Sequence, residues 1–269
     1  MNITKRTLLD MDSSTLLSLN IQSSSLLQHN STVQETEAFT GRVSLIVVGP
    51  VLQLAGSVLL LSLVPTSLTT SEARRQKWRS TQLARLSAAI SGLWALAAFY
   101  DSLPLRRDLM YGSSDMAVNL IIFSLGVHIA EVVDMIVTRQ FSLLSVHHLA
   151  VIICFAGALL AKCSVGFAVL TLITELNAVT NKTRILHIIS QKDTGSLQFI
   201  INSYVNIFTF FIRILIIFWM NNQAFQYFSQ DPCLFFACCS LGLLFVNMWN
   251  LLVFKTLVVK DIFRKKKKD

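Results

Sequence analysis

The sequence is short of charged residues. Only 14% of its 269 residues are Asp, Glu, Lys or Arg, whereas about 25% is usual in soluble domains. Hydrophobic residues make up 53% of the chain, and there are 4 prolines. An ordinary soluble domain does not have this composition. It predicts a polytopic membrane protein, in which most side chains face lipid or neighbouring helices.

Several chemical signatures are also missing. The five cysteines form no CxxC pair and have no histidine at zinc spacing. No Gly-rich phosphate loop, HExxH or GxSxG sequence occurs. The net charge of +8 comes largely from basic clusters at 74–79 and 264–268 that flank apolar segments. Nucleic-acid binding is therefore not expected.

Long apolar segments dominate the rest of the chain. They lie at 43–64, 83–100, 116–137, 147–161, 164–180, 198–220 and 233–256. A spanning helix needs about 17–25 residues, so the fourth and fifth segments are short. A re-entrant pair there, leaving five full spans, is the alternative. The sequence predicts an all-α polytopic membrane bundle of about seven transmembrane helices: a first helix at 43–64, a transmembrane domain at 65–257 and a basic tail at 258–269.

The basic loops predict the orientation. With seven spans, the loops at 65–82, 138–146 and 181–197 share one side with the C-terminal tail and hold most Lys and Arg residues. Basic loops stay in the cytosol, so residues 1–42 are predicted to be an exoplasmic tail. Its polar composition favours disorder. Its two N-x-[ST] sequons, at Asn2 and Asn30, would be glycosylated there.

Ionisable residues lie inside or at the edge of these apolar segments, where a charge costs at least about 2.5 kcal/mol. His128, Glu131 and Asp134 step by three residues along the third segment, which places them within roughly 120° of one helix face. The fourth segment opens with His147 and His148. Only one of this adjacent pair can point squarely at that face. A histidine beside a carboxylate can deprotonate a hydroxyl or amine, so His147, His148, Asp134 and Glu131 are the catalytic candidates.

More polar residues occur in or beside the fifth and sixth segments. They are Glu175, Asn177, Arg184, Asn202, Asn206 and Arg213. With His128, they predict a polar chamber that accommodates the polar portion of a lipid. The alternative is structural, since polar side chains also join helices by hydrogen bonds. Zinc ligation by His128, His147 and His148 is disfavoured because adjacent histidines converge poorly on one ion. No metal and no bound cofactor are predicted.

Between about residues 78 and 255 the chain resembles the TLC-domain family. The likeness is carried by Trp78, Ser91-Gly92-Leu93-Trp94, Phe123 to Gly126, Glu131-Val-Val-Asp134, His147-His148, Glu175 before Arg184, and Asn206 before Phe211-Ile212-Arg213. The order and spacing are most similar to the membrane-fluidity-regulator, or calfacilitin-like, branch. The chain departs from the family pattern at Ser87, where histidine is frequent. It also departs at Val127-His128, where Tyr-Phe is usual, and at Glu131, where Asp is usual.

The resemblance implies a ring of helices with the polar groups inside it. It further implies a protein that regulates phospholipid fatty-acyl composition and membrane fluidity by limiting the incorporation of long-chain polyunsaturated fatty acids. The alternative is a ceramide-synthase-like lipid acyltransferase with acyl-CoA as co-substrate. The departures count against ceramide synthesis itself, and catalysis is left open.

The expected partners are membrane phospholipids or fatty-acyl lipids, and homo-oligomerisation is left open. The resemblance favours the plasma membrane. The C-terminal Lys266-Lys267-Lys268-Asp269 also fits a dilysine retrieval signal, which would favour the endoplasmic reticulum. A basic tail touching anionic lipids explains the same residues.

Overall fold

A computed structural model of the chain describes residues 44–56, 58–60, 64–65, 71–139, 143–190, 195–230 and 234–259. These residues form α-helices, and no strand occurs among them. The helices are α1 (Ser44–Leu60), α2 (Glu72–Asp101), α3 (Leu103–Arg107), α4 (Asp115–Val137), α5 (Leu143–Ala161), α6 (Val165–Ile173), α7 (Glu175–Ile189), α8 (Leu197–Gln230) and α9 (Leu234–Val258). The predicted exoplasmic tail with its sequons, and the C-terminal lysines, lie outside the described residues. The packing below concerns the compact unit that begins at Leu45.

The helices suit a membrane. Within the described part of the chain, α2, α4 and Leu197–Tyr227 of α8 are long and apolar enough to cross a bilayer, while Ser44–Leu60 and Ser145–Ala161 are shorter apolar helices. Large side chains such as Leu93, Leu160 and Phe218 are exposed on the outer faces, where lipid would cover them. The prediction of an all-α membrane bundle is confirmed. The number of spans stays a prediction.

Pairwise packing closes the helices into a ring. Helix α2 packs against α4 on one side and α7 on the other. From α4 the ring continues through α5 to α9, and from α7 it continues through α8 to the same α9. Helix α6 contacts α2, α4, α5 and α8. This arrangement agrees with the ring that the family resemblance implies.

Helix α6 is buried because its neighbours present small side chains. Ala95 and Ala98 of α2 are fully buried in the cluster that includes much of α6, so the two helices approach closely. The α6 helix stops at Thr174, whose hydroxyl donates to the Thr171 carbonyl at 2.7 Å. A new helix, α7, then begins at Glu175. A carboxylate suits this position because the helix N-terminus carries partial positive charge.

Helix α1 crosses α4 at glycine contacts. A side chain at Gly126 would overlap the backbone carbonyl of Ile46, and Gly49 faces the backbone of Phe123 and Val127. Gly126→Ala is therefore expected to lower the free energy of unfolding by about 1–3 kcal/mol, the usual cost of overpacking. Thermal denaturation of the purified protein in detergent measures this as a fall in Tm.

Gly242 of α9 supplies the matched control. Nothing lies within 4 Å of a Cβ built at this position. Gly242→Ala should therefore keep or raise Tm, since alanine favours a helix over glycine by about 1 kcal/mol. If Gly126→Ala and Gly242→Ala behave alike, the close α1–α4 crossing is wrong.

Candidate functional site

A cavity of about 800 Å³ lies inside the ring, bordered mainly by α2, α4 and α7, with a few residues from α1, α5, α8 and α9. Its volume is within the roughly 300–1,000 Å³ typical of pockets for small molecules. Much of the wall is apolar, with side chains such as Leu54, Ala84 and Val133. The ionisable lining residues are Lys77, His128, Glu131, Asp134, His147, His148, Glu175, Lys182 and Arg213. The structure thus brings most of the predicted chamber residues around one space.

The cavity extends toward one end of the bundle. Lys77 near the start of α2, Thr138 after α4 and Lys182 in α7 all line it. These residues adjoin or lie in the loops that the charge pattern assigns to the cytosol. In the predicted orientation, the cavity therefore reaches the cytosolic leaflet.

Three side chains meet on the α4–α5 side of the cavity. His128 Nδ1 lies 3.3 Å from Glu131 Oε2, and His148 Nδ1 lies 3.2 Å from the same oxygen. The two Nδ1 atoms are 3.1 Å apart. The side chains are only 12–14% exposed. We call His128, Glu131 and His148 the His–Glu–His cluster.

Local structure explains how the cluster assembles. His128 and Glu131 are three residues apart on α4, so they occupy neighbouring turns of one face. Helix α5 packs along α4 and presents His148 to them. His147 lines the same cavity, and it also lines a smaller pocket of about 140 Å³ together with Glu175 and Arg213. The two adjacent histidines thus have different surroundings, as the 100° rotation between neighbours requires.

Asp134 lies apart from the cluster. Its Oδ1 is 3.9 Å from Arg79 Nη2 of α2, and its side chain is 45% exposed. It lines the cavity nearer the predicted cytosolic end. The shared helix face predicted for His128, Glu131 and Asp134 thus spans two environments, one enclosed and one open.

The asparagines join α7 to α8. Asn177 Nδ2 donates to the Asn206 carbonyl at 3.3 Å and to Thr209 Oγ1 at 2.9 Å. Thr180 donates to Asn206 Oδ1 at 3.1 Å, and Asn202 donates to the Thr180 carbonyl at 3.3 Å. Asn206 is fully buried. These residues therefore join two helices by hydrogen bonds, which was the structural alternative to a role in the chamber. Asn177 also borders the cavity.

Arg184 is not brought to the cavity. Its guanidinium carbon lies 5.8 Å from the centre of the Phe199 ring, between α7 and α8. Sequence reasoning treated Lys77 and Lys182 only as indicators of topology, yet both line the cavity. Both lysines lie inside helices, α2 and α7, and not at the centres of loops. That position is the signal that would have identified them as cavity-lining residues.

Comparison with known proteins finds related sequences. Residues 77–259 match the family described as the TLC domain. TLC domain-containing protein 2 of Danio rerio is 26% identical over 200 residues, which cover 72% of this chain and 80% of that protein. The Homo sapiens protein of the same name is 26% identical over 203 residues, or 73% and 76% of the two chains. TLC domain-containing protein 1 of Rattus norvegicus is 26% identical over 152 residues, or 55% of this chain and 61% of that protein. No solved structure matches the chain.

Proposed function

This chain belongs to the TLC-domain family, and we propose that it regulates phospholipid fatty-acyl composition in its membrane. In this proposal it limits the incorporation of long-chain polyunsaturated fatty acids into phospholipids and so lowers membrane fluidity. The supporting observation is the cavity, which combines apolar walls with an enclosed polar cluster and a basic end. A phospholipid or fatty-acyl lipid combines the same features in one molecule.

The cavity wall offers a binding site for each part of such a lipid. Lys77 and Lys182 lie where a phosphate headgroup would enter from the predicted cytosolic leaflet, and Lys is a compact donor suited to phosphate. Apolar residues of α1, α2 and α4 line the walls, so an acyl chain can pass from the bilayer into the cavity without exposing its methylene groups to water, which would cost about 0.8 kcal/mol each. We place the protein at the plasma membrane, with the endoplasmic reticulum as the alternative.

Blocking the cavity tests this function. Cells that lack the protein should contain more polyunsaturated phosphatidylethanolamine by quantitative lipid mass spectrometry, and the wild-type chain should reverse the change. Ala84→Phe places an aromatic ring in the cavity wall, so we expect it to reverse little of the change. Ala97→Phe introduces the same ring on an exposed position of the same helix and should act like wild type.

The function and its location in the cavity can be contradicted separately. An unchanged phospholipid profile in cells lacking the protein would contradict the proposed function. Full reversal by Ala84→Phe, at wild-type abundance, would show that the cavity is not the site where that function is performed.

The His–Glu–His cluster favours a second candidate, a lipid acyltransferase. In that reaction one histidine accepts the proton of an acceptor amine or hydroxyl as the acceptor attacks the acyl carbonyl. Acyl-CoA is the co-substrate and the thiol of coenzyme A leaves. Loss of such an enzyme should deplete one lipid class and accumulate its amine or hydroxyl precursor in the same lipid analysis.

A further inference from the structure

We propose that the His–Glu–His cluster binds a divalent transition-metal ion of the zinc or ferrous type. The donors would be Nδ1 of His128, Nδ1 of His148 and Oε2 of Glu131, which lie within 4.8 Å of one another. Two imidazole nitrogens with one carboxylate oxygen form a donor set that suits both ions. The proposal depends on the geometry of these side chains and holds whether or not the lipid function above is correct.

The distances fit a single ion. The edges of the donor triangle are 3.1, 3.2 and 3.3 Å. Donors at about 2.0–2.2 Å from a tetrahedral zinc ion are about 3.3–3.6 Å apart, and adjacent donors in an octahedral site are about 3.0–3.1 Å apart. The 3.1 Å edge fits the octahedral range, the 3.3 Å edge fits the tetrahedral range, and the 3.2 Å edge lies between the two. An ion about 2.1 Å from each donor would lie about 1 Å above the plane of the triangle.

With Glu131 ionised, hydrogen bonds alone leave one edge of the triangle unfavourable. A neutral imidazole Nδ1 is either a donor or an acceptor. If both Nδ1 atoms carry hydrogen, the carboxylate accepts from both, but two N–H groups then face each other at 3.1 Å. If only one carries hydrogen, the bare nitrogen of the other ring lies 3.2–3.3 Å from a carboxylate oxygen, lone pair against lone pair. A cation interacts favourably with all three lone pairs.

The surroundings support a bound ion with an open coordination position. The three side chains are 12–14% exposed, and the Phe155 ring lies 6.1 Å from the His128 ring, so solvent competes weakly. All three residues line the cavity. Sites with three protein ligands and an open position are typical of reactive rather than structural zinc. The open position would take water or an oxygen of the cavity's occupant.

His147 provides an internal control. It is adjacent to His148 on α5 and lines the same cavity, but its side chain is outside the donor set. The zinc site that the sequence disfavours includes this residue. The site proposed here replaces it with Glu131, which comes from a different helix from His148 and so avoids the problem of adjacent histidines converging on one ion.

Metal analysis of the purified full-length protein tests the site. Elemental analysis should find about one equivalent of zinc or iron per chain in wild type and in His147→Ala. After chelation, Zn²⁺ alone or, without oxygen, Fe²⁺ alone should rebind to both proteins, and the ion found in the untreated protein identifies the metal. His128→Phe and His148→Ala should bind the metal at least about 100-fold more weakly. Removing a group that only hydrogen-bonds to a metal ligand already lowers metal affinity by about 10- to 100-fold, and these variants remove a ligand itself.

A measurement on the unaltered chain guards against variants that fail to fold. Co²⁺ added to the stripped wild-type protein should produce visible absorption bands of a low-symmetry nitrogen–oxygen site, and Zn²⁺ should displace them. Absence of metal in wild type together with no binding of Zn²⁺, Fe²⁺ or Co²⁺ would overturn the proposal. Equal loss of metal in His147→Ala and His148→Ala would overturn the donor set. Neither result bears on the lipid analysis, so the two proposals fail separately.

Discussion

Glu131→Gln is expected to abolish the protein's effect on cellular phospholipid composition. Glu131 contacts both His128 and His148, at 3.3 and 3.2 Å. Glutamine keeps the volume but removes the charge, and its amide nitrogen is a donor that cannot accept from a ring N–H. If the protein is an acyltransferase, Glu131 orients the histidine that acts as base, and its loss should lower the rate by up to the roughly 10²- to 10⁴-fold that a positioned base contributes. Lipid mass spectrometry of complemented cells measures it.

Two carboxylates serve as comparisons for this prediction. Glu72→Gln removes an exposed charge whose partner is Arg75 at 3.6 Å, and such surface pairs contribute about 0–1 kcal/mol. It should complement fully. Asp134→Asn should cause a smaller loss than Glu131→Gln because Asp134 is 45% exposed and touches only the edge of the cavity beside Arg79. Full complementation by Glu131→Gln at normal abundance would remove the His–Glu–His cluster from the functional site.

Asn206→Leu is expected to destabilise the contact between α7 and α8. Asn206 is fully buried and accepts hydrogen bonds from Asn177 and Thr180 across the α7–α8 interface. Leucine would remove this acceptor, while Asn177 keeps its bonds to the Asn206 carbonyl and Thr209, and Thr180 keeps its bond to the Asn177 carbonyl. Individual interhelical hydrogen bonds in membranes average about 0.6 kcal/mol. The loss of two such bonds should therefore lower the free energy of unfolding by about 1 kcal/mol, measured as a fall in Tm in detergent.

Asn222→Leu is the matched control. Asn222 lies on the same helix but is exposed, so leucine there leaves no buried donor without an acceptor. Its Tm should stay near that of wild type. An unchanged Tm for Asn206→Leu would mean that the α7–α8 contact does not depend on this network, and Asn206 would return to the candidates for lipid binding.

The sequence predicted the helices because apolar runs of spanning length leave few other structures for the chain. In a bilayer, backbone N–H and C=O groups must be satisfied by other protein groups, which allows helices and closed barrels. Continuous apolar runs specify helices, because the strands of a membrane barrel alternate between apolar and polar residues. The break at Thr174 was not predicted. The fifth segment appears continuous from 164 to 180 in hydropathy, while the structure divides it between α6 and α7. That division depends on how Ser164 to Thr174 pack inside the ring, which hydropathy does not record.

The polar residues show the same difference between what the sequence predicts and what packing decides. A helical period places His128, Glu131 and Asp134 on one arc, but it says nothing about what faces each turn. Glu131 meets His148 because α5 packs there, whereas Asp134, one turn on, meets Arg79 of α2. Likewise, the sequence grouped Asn206 with the chamber residues, and only the position of Asn177 across the interface makes it a contact between helices.

The sequence by itself determined the all-helical membrane class and the stretches from which the buried polar residues come. These follow from local quantities, namely hydropathy, segment length and residue spacing. The tertiary structure decided which histidine of the adjacent pair joins Glu131, that His128 completes the triangle, and that Arg184 lies elsewhere. Those outcomes depend on angles and distances between helices far apart in the chain. A residue's own helix fixes only the direction of its side chain, and packing fixes what that side chain meets.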